Sequence, residues 1–280
     1  MSETKTIAAA GINIIDESFD LKKSNTYHLS ILLNSHRSTI AVLDTDTNKY
    51  LVLQENQIMP PEFKIPDSLA NHFRSVTCAI AHPKFTLAPS ALFDEENKKP
   101  LLEFNHSITD EEKIHSDTLM NVDAKNIFSI SKDIESKIRD RFINVHFIHN
   151  ATAFIEGVLI QNKNAKGQKM FADLHSSYFE IVLLENGKLI FSNAFQYKAA
   201  EDIAYYILFV YEQMHLDPEE VELVVSGEIE KTAKEHSLLY NYIRHVKFAS
   251  LPDGFKFSYK FDEVPKHKYF SLFTQYLITN

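Results

Sequence analysis

At 280 residues, with 44% hydrophobic and 24% charged side chains, the chain has the make-up of an ordinary globular protein, long enough for two lobes of near-typical domain size. A net charge of −9 opposes wrapping a phosphate backbone, so nucleic acid is not an expected partner. No basic stretch leads into a long apolar run, and the run Ile7–Ile15 is short and holds Gly11, so neither a signal peptide nor membrane insertion is expected.

The chain opens as a meander. Tyr27–Leu33, Thr39–Leu43 and Tyr50–Leu53 are short apolar or alternating runs separated by Asn34–Ser38 and Asp44–Asn48, which predicts three antiparallel strands joined by turns. Pro66–Phe73 has helical spacing, and Val76–Ile80 reads as a buried strand. That strand carries the chain's one cysteine, Cys78, which reads as a small hydrophobe without a disulfide partner; a free thiol fits a reducing compartment, and the cytoplasm is the expected location. Ser90 caps a predicted helix through Glu96, and the polar, Pro100-containing stretch 95–113 reads as an exposed insertion, with Leu101, Leu102 and Phe104 leaving room for an edge strand. These residues, 1–130, form the expected first lobe.

A second lobe is expected over 131–280. Ile134, Ile138 and Phe142 put one apolar stripe on a helix, Val145–Ile148 is a short strand, and Asn150–Ile160 is a helix whose small first-turn residues allow close backbone approach. Strands follow at Lys169–Leu174, Phe179–Leu184 and Lys188–Ser192, with Asn186-Gly187 a hairpin signal. Ala200–His215 is predicted helical, with Ile203, Tyr206 or Ile207, Val210 and Met214 facing inward. A strand at Val221–Val225, a helix at Ile229–Ile243, a strand at Val246–Ala249 and a C-terminal helix at Lys268–Ile278 complete the lobe. The pattern predicts an α/β protein with mixed sheets covered by helices on both faces.

The order of these pieces resembles the actin-like ATPase superfamily, whose fold is two lobes of ribonuclease H-like topology. Asp173-Leu174-His175-Ser176-Ser177-Tyr178 stands where that superfamily has the Asp-Leu-Gly-Gly-Gly-Thr of its second phosphate loop, with Glu180 at the position of a later acid. His149-Asn150-Ala151-Thr152-Ala153 with Gly157 resembles the interlobe connecting helix, Val224–Glu228 resembles the adenosine loop, and His28–Leu43 the first phosphate loop. Ile15–Leu21 followed by Tyr27–Ile31, with Tyr50–Leu53 after the hairpin, is similar to the opening of a Bacteroidetes-type family of unknown function with an actin-like fold. More distantly the chain resembles the actin-like proteins of pilus assembly and type II secretion.

That resemblance implies a nucleotide cleft at Asn34, Ser35, Asp173, Ser176, Ser177 and Gly227, yet the residue types argue against efficient hydrolysis. Phosphate loops use glycine so that backbone N–H groups converge on an anion without a Cβ in the way. Here His175, Ser176, Ser177 and Tyr178 bring side chains to the place of entry, and Leu32 stands where a Mg²⁺-holding carboxylate is expected. Asp173 is left as the one acid; turn capping explains it as well as residual ligand binding does. No cofactor is expected, with residual ATP and Mg²⁺ the alternative. Nor is a metal site expected: His146 and His149 lack metal-ligand spacing, and Asp44–Asn48 reads as a hairpin turn. Asp44, Asp46 and Asp173 lack the inner-strand acid, replaced by Leu32, that a two-metal nuclease site would need. The expected function is therefore a degenerate, non-hydrolysing binding or scaffolding protein with an unidentified protein partner, self-association left open. The alternative is a divergent ATPase or small-molecule kinase using Asp173 with Asn34, Ser35 and Ser176. Whether His175 and Tyr178 fill the interlobe cleft is the feature that separates them.

Overall fold

The computed structural model of the chain describes residues 11–57 and 73–279; the helix expected at Pro66–Phe73 lies, but for Phe73, outside them. Two sheets share one topology. In the first, β2 (Tyr27–Leu33), β3 (Arg37–Asp44) and β4 (Lys49–Gln57) form an antiparallel meander, then β5 (Ser75–Ile80) runs parallel to β2 and β9 (Val145–His149) parallel to β5. In the second, β10 (Gln168–Leu174), β11 (Tyr178–Glu185) and β12 (Lys188–Gln196) form the meander, and β13 (Glu222–Gly227) and β14 (Val246–Phe248) add in parallel. Each sheet thus reads third, second, first, fourth, fifth in order of its five common strands. The short β1 (Asn13–Ile15) and β15 (Lys256–Phe257) flank β4 in the first sheet.

Turn chemistry closes both meanders as the sequence predicts. Asn186 (φ 51°) and Gly187 (φ 73°) supply the two left-handed residues of a tight hairpin. Asn34 works differently: its Oδ1 accepts the backbone N–H of His36 (2.9 Å) and Arg37 (2.7 Å), a side-chain substitute for a backbone turn.

Between β5 and α2 (Lys132–Arg141) stands a small antiparallel sheet of β6 (Phe85–Pro89), β8 (Ala124–Ser131) and β7 (Glu112–Thr118), in that order. Ser90 starts a single 3₁₀ turn to Leu92 and not the expected helix; the helix, α1 (Lys98–Glu103), begins beyond the acids. Pro100 is tolerated because it lies in the first turn, where its missing N–H has no intrahelical partner to lose. The stretch 95–113 is more than an exposed connector, since Leu102 is fully buried beside Ala88 and Ile127.

The sheets do not respect a division at residue 130. β9 belongs to the first sheet, so the chain leaves that lobe through α3 (Asn150–Gln161). Nor does the C-terminal helix stay in the second lobe: it comprises 3₁₀ turns around α6 (Phe270–Thr274), and these pack on the first sheet and α3. The Tyr50 hydroxyl donates to the Phe273 carbonyl and the Gln275 amide donates to the Ile31 carbonyl at 3.1 Å. The cause is apolar: Tyr50, Leu43 and Leu53 on the outer face of the first sheet are covered by Phe261, Leu272 and Phe273. On its other face a continuous core runs from Leu29, Ile31 and Val42 through Phe154 and Val158 of α3 to Phe171, Val182 and Val224 of the second sheet. The second sheet's far side buries Ile203, Ile207 and Val210 of α4 (Ala200–Gln213) and Leu239 of α5 (Lys234–Tyr242), the latter starting five residues later than expected.

α3 is the hub. Asn150 to Leu159 are all buried, as suits a helix that is apolar nearly all round. Gly157 lets α6 approach, since a Cβ there would sit 2.8 Å from Thr274 Cγ2 and 3.0 Å from Phe270 Cε1. Gly157→Val should therefore lower stability by about 1–3 kcal/mol in urea titration, the usual cost of overpacking; wild-type stability would mean α6 is not clamped there. The small sheet is pinned to the same helix. Asp117, buried on β7, accepts the His149 backbone N–H and the Thr152 hydroxyl, each at 2.8 Å. Burial pushes its carboxyl up to about 7, although those two bonds pull the other way. From its ordinary value near 3.8 up to about 7 the unfolded chain gives up this proton before the folded one, so stability falls as pH rises through that window. Urea midpoints of Asp117→Asn compared with wild type should lack that component of the fall; parallel pH profiles would contradict it.

Candidate functional site

The β10–β11 hairpin places three ionisable groups on one face. Asp173 and Glu180 are cross-strand partners, and His175, two residues on from Asp173, projects to the same side. The turn itself needs no glycine: the His175 N–H donates to the Tyr178 carbonyl at 2.9 Å, and Ser176 and Ser177 stand exposed at the tip.

Asp173 is buried where four elements meet. Its Oδ1 accepts from the Ser226 hydroxyl of β13 (2.7 Å), and its Oδ2 from the Asn150 amide of α3 (3.1 Å) and the Ser271 hydroxyl of α6 (2.9 Å). His175 Nε2 lies 3.5 Å from the same Oδ2 and 3.9 Å from Glu180 Oε1. Burial alone would raise the Asp173 carboxyl, but the His175 contact and the Ser226 and Asn150 bonds outweigh it and hold the group below its ordinary value. Burial likewise disfavours a charged His175, and the facing Asp173 and Glu180 carboxylates reverse that and raise it. For Glu180 burial wins, and its carboxyl is pushed up to about 8. Gly227 (φ 79°) completes the junction: a Cβ there would lie 2.1 Å from the Leu174 carbonyl oxygen and 2.8 Å from Asp173 Oδ1.

In front of Asp173 the interlobe cleft is nearly closed. A cavity of about 30 Å³ remains, walled by residues that include Leu32, Asn34, Asp173, His175, Gly227 and Tyr269. That volume holds a water or two, whereas small-molecule sites run to about 300–1,000 Å³. An ion-pair chain crosses the same gap. Arg37 Nη1 reaches Glu55 at 2.8 Å and Glu228 at 3.5 Å, while Lys268 (3.1 Å) and the Tyr269 hydroxyl (2.9 Å) hold the other Glu55 oxygen. Burial would raise Glu55, but Lys268, Tyr269 and Arg37 keep its carboxyl below the ordinary value. Two cations therefore do converge on the cleft, and both are engaged by carboxylates of the chain itself. Nothing in the sequence signals this set, because its members lie on four separate segments.

The expected cleft residues divide. Asn34, Asp173 and Gly227 border the small cavity, Ser35 and Ser177 line a separate groove together with Asn34, and Ser176 borders neither. The groove, about 460 Å³, lies between the ends of β2 and β5, the small sheet, the start of α2 and the hairpin tip; Leu33, Ile80, Pro83, Ile134 and Tyr178 give it an apolar lining. His175 and Tyr178 stack at 4.4 Å and 13°, so that His175 closes the cavity while Tyr178 walls the groove.

Duplicated sheets of this topology, joined by a buried helix with an acid-bearing hairpin facing the interlobe gap, define the actin-like ATPase fold. The chain belongs to the family described as protein of unknown function (DUF3822), whose model matches residues 16–246. Among solved structures it is similar to a Bacteroides thetaiotaomicron protein with actin-like ATPase fold and unknown function, at 25% identity and TM-score 0.76 over 82% of this chain and 93% of that one. The PilM–PilN type IV pilus biogenesis complex matches at 12% identity and TM-score 0.57, covering 89% of this chain and 96% of that one. The cytoplasmic domain of EpsL, from the type II secretion system of Vibrio cholerae, matches at 14% and 0.45, over 91% and 95%. A search of the curated proteins finds no match. No helix among the described residues is long and apolar enough to cross a membrane.

Asp173→Ala removes the acceptor for donors from three other elements, and should lower stability by about 3–5 kcal/mol, as breaking a buried charged network does. The loss should be the same with or without ATP and Mg²⁺ in a thermal melt; a wild-type melting temperature would show that the carboxylate is not structural.

Proposed function

We propose that this protein is a cytoplasmic, non-hydrolysing member of the actin-like fold that works by binding another protein. The single observation carrying this reading is the 30 Å³ cleft. Its cations are already neutralised by Glu55 and Glu228, and its one remaining acid, Asp173, is turned inward to hold the lobes together. A triphosphate would have to separate ion pairs and displace His175 without the charge neutralisation that phosphoryl transfer needs. Cys78, fully buried with its thiol pushed well above the ordinary range by that burial, agrees with a reducing compartment.

The partner surface we favour is the apolar groove, and its occupant an extended segment of a partner protein with apolar side chains. Support comes from its size, its lining, and the fold relative PilM, which is found in complex with the protein PilN. Ile134 is the residue to test, being 39% exposed at the groove and so replaceable without disturbing a core. Calorimetry and thermal shift with ATP and Mg²⁺ should give no signal, and a partner retained by the wild type should be lost by Ile134→Glu. Micromolar ATP binding that disappears in a folded Asp173 variant would overturn the reading in favour of a divergent ATPase or kinase.

A further inference from the structure

The hairpin cluster leaves two buried side-chain oxygens, Glu180 Oε1 and Asn150 Oδ1, without a hydrogen-bond partner among the described residues, on side chains that are 1% and 0% exposed. A buried polar atom in that condition is costly, because it has given up water and gained nothing in exchange. Asn150 Nδ2 lies 3.1 Å from Asp173 Oδ2, 3.2 Å from His175 Nε2 and 3.3 Å from Glu180 Oε2.

We propose that Asp173, His175 and Glu180, together with the amide oxygen of Asn150, form a binding site for a divalent transition-metal cation, Zn²⁺ in the first instance. One ligand atom from each of the first three residues lies within 4.8 Å of the others. Zn²⁺ takes oxygen and nitrogen ligands at about 2.0–2.2 Å, which in a tetrahedron puts ligand atoms about 3.4 Å apart. The His175–Asp173 separation of 3.5 Å already fits, and the His175–Glu180 separation of 3.9 Å needs a closure of about half an ångström. A half-turn of the Asn150 amide exchanges its nitrogen for its oxygen, two atoms alike in shape and opposite in role. Facing two carboxylates and an imidazole, that oxygen is repelled unless a cation lies between them; with one, both Glu180 Oε1 and Asn150 Oδ1 gain a partner.

The ligand set selects the cation. An imidazole beside two carboxylates suits Zn²⁺ or Mn²⁺, while Mg²⁺ prefers oxygens alone and keeps its waters. The approach runs through the 30 Å³ cavity, which Asn150, Asp173 and His175 border, and Tyr178, stacked on His175, seals the other side. Because all four ligands belong to the chain, binding requires no nucleotide, and the cation would pin the hairpin to α3 at the lobe junction.

The protein, stripped with chelator, should take up one equivalent of Co²⁺ with visible d–d absorption, displaced by Zn²⁺, and should melt at higher temperature with Zn²⁺ present. Glu180→Gln and His175→Asn should each weaken Zn²⁺ binding about tenfold or more. Since either buried variant can fail to fold, X-ray absorption of the Zn²⁺-loaded wild type gives an independent reading: one imidazole and otherwise oxygen ligands. Absence of stoichiometric uptake, two or more imidazoles in the absorption data, or unchanged affinity in both folded variants would each overturn the proposal.

Discussion

Asp173 puts a carboxylate where β10, α3, β13 and α6 meet, and the packing of the two lobes is built round keeping it satisfied. A carboxylate taken out of water is costly unless every lone pair is used. Asn150 comes from the helix between the lobes, Ser226 from the neighbouring strand of the second sheet, and Ser271 from the segment that covers the first. Both lobes therefore have a stake in one side chain. Gly227 is required beside it for a steric reason, since any Cβ would collide with the backbone of the same hairpin.

The same arrangement sets this hairpin apart from a loop that cradles phosphate. A loop that cradles phosphate must turn backbone N–H groups towards an anion and leave the space before them clear. This hairpin spends its inward face on His175 and Glu180 and turns its two serines to solvent. Across the gap, Arg37 and Lys268 answer Glu55 and Glu228, so the charges that would meet a phosphate instead link first sheet, second sheet and C-terminal segment. On the proposed reading, the place of a ligand cleft is taken by an interlobe contact.

Much of this was legible in the sequence, for reasons that can be located. Strands with apolar alternation and turn residues at their ends, such as Tyr27–Leu33 and Phe179–Leu184, fall within a residue or so of their expected bounds. The strand Glu112–Thr118 was missed because its residues are half-exposed and polar, leaving no apolar alternation to read. Strand period says nothing about partners: Val145–His149 reads the same whichever sheet it joins, and its pairing with β5 is decided in three dimensions. At the site, Asp173 and Gly227 were identifiable through their loops. Asn150 was legible only as part of the connecting helix, and Ser271, Glu55 and Lys268 not at all, because each acts through a contact between residues far apart in the chain.

Hydrogen–deuterium exchange across the hairpin and its partners, measured with and without ATP and Mg²⁺, tests most directly whether the cleft is a closed structural junction. A closed junction predicts slow exchange for backbone amides of 171–175, 226–229 and 270–275 that is unchanged by nucleotide. Nucleotide-dependent protection confined to 173–178 and 226–228 would contradict it, and would return the cleft to the role of a ligand site.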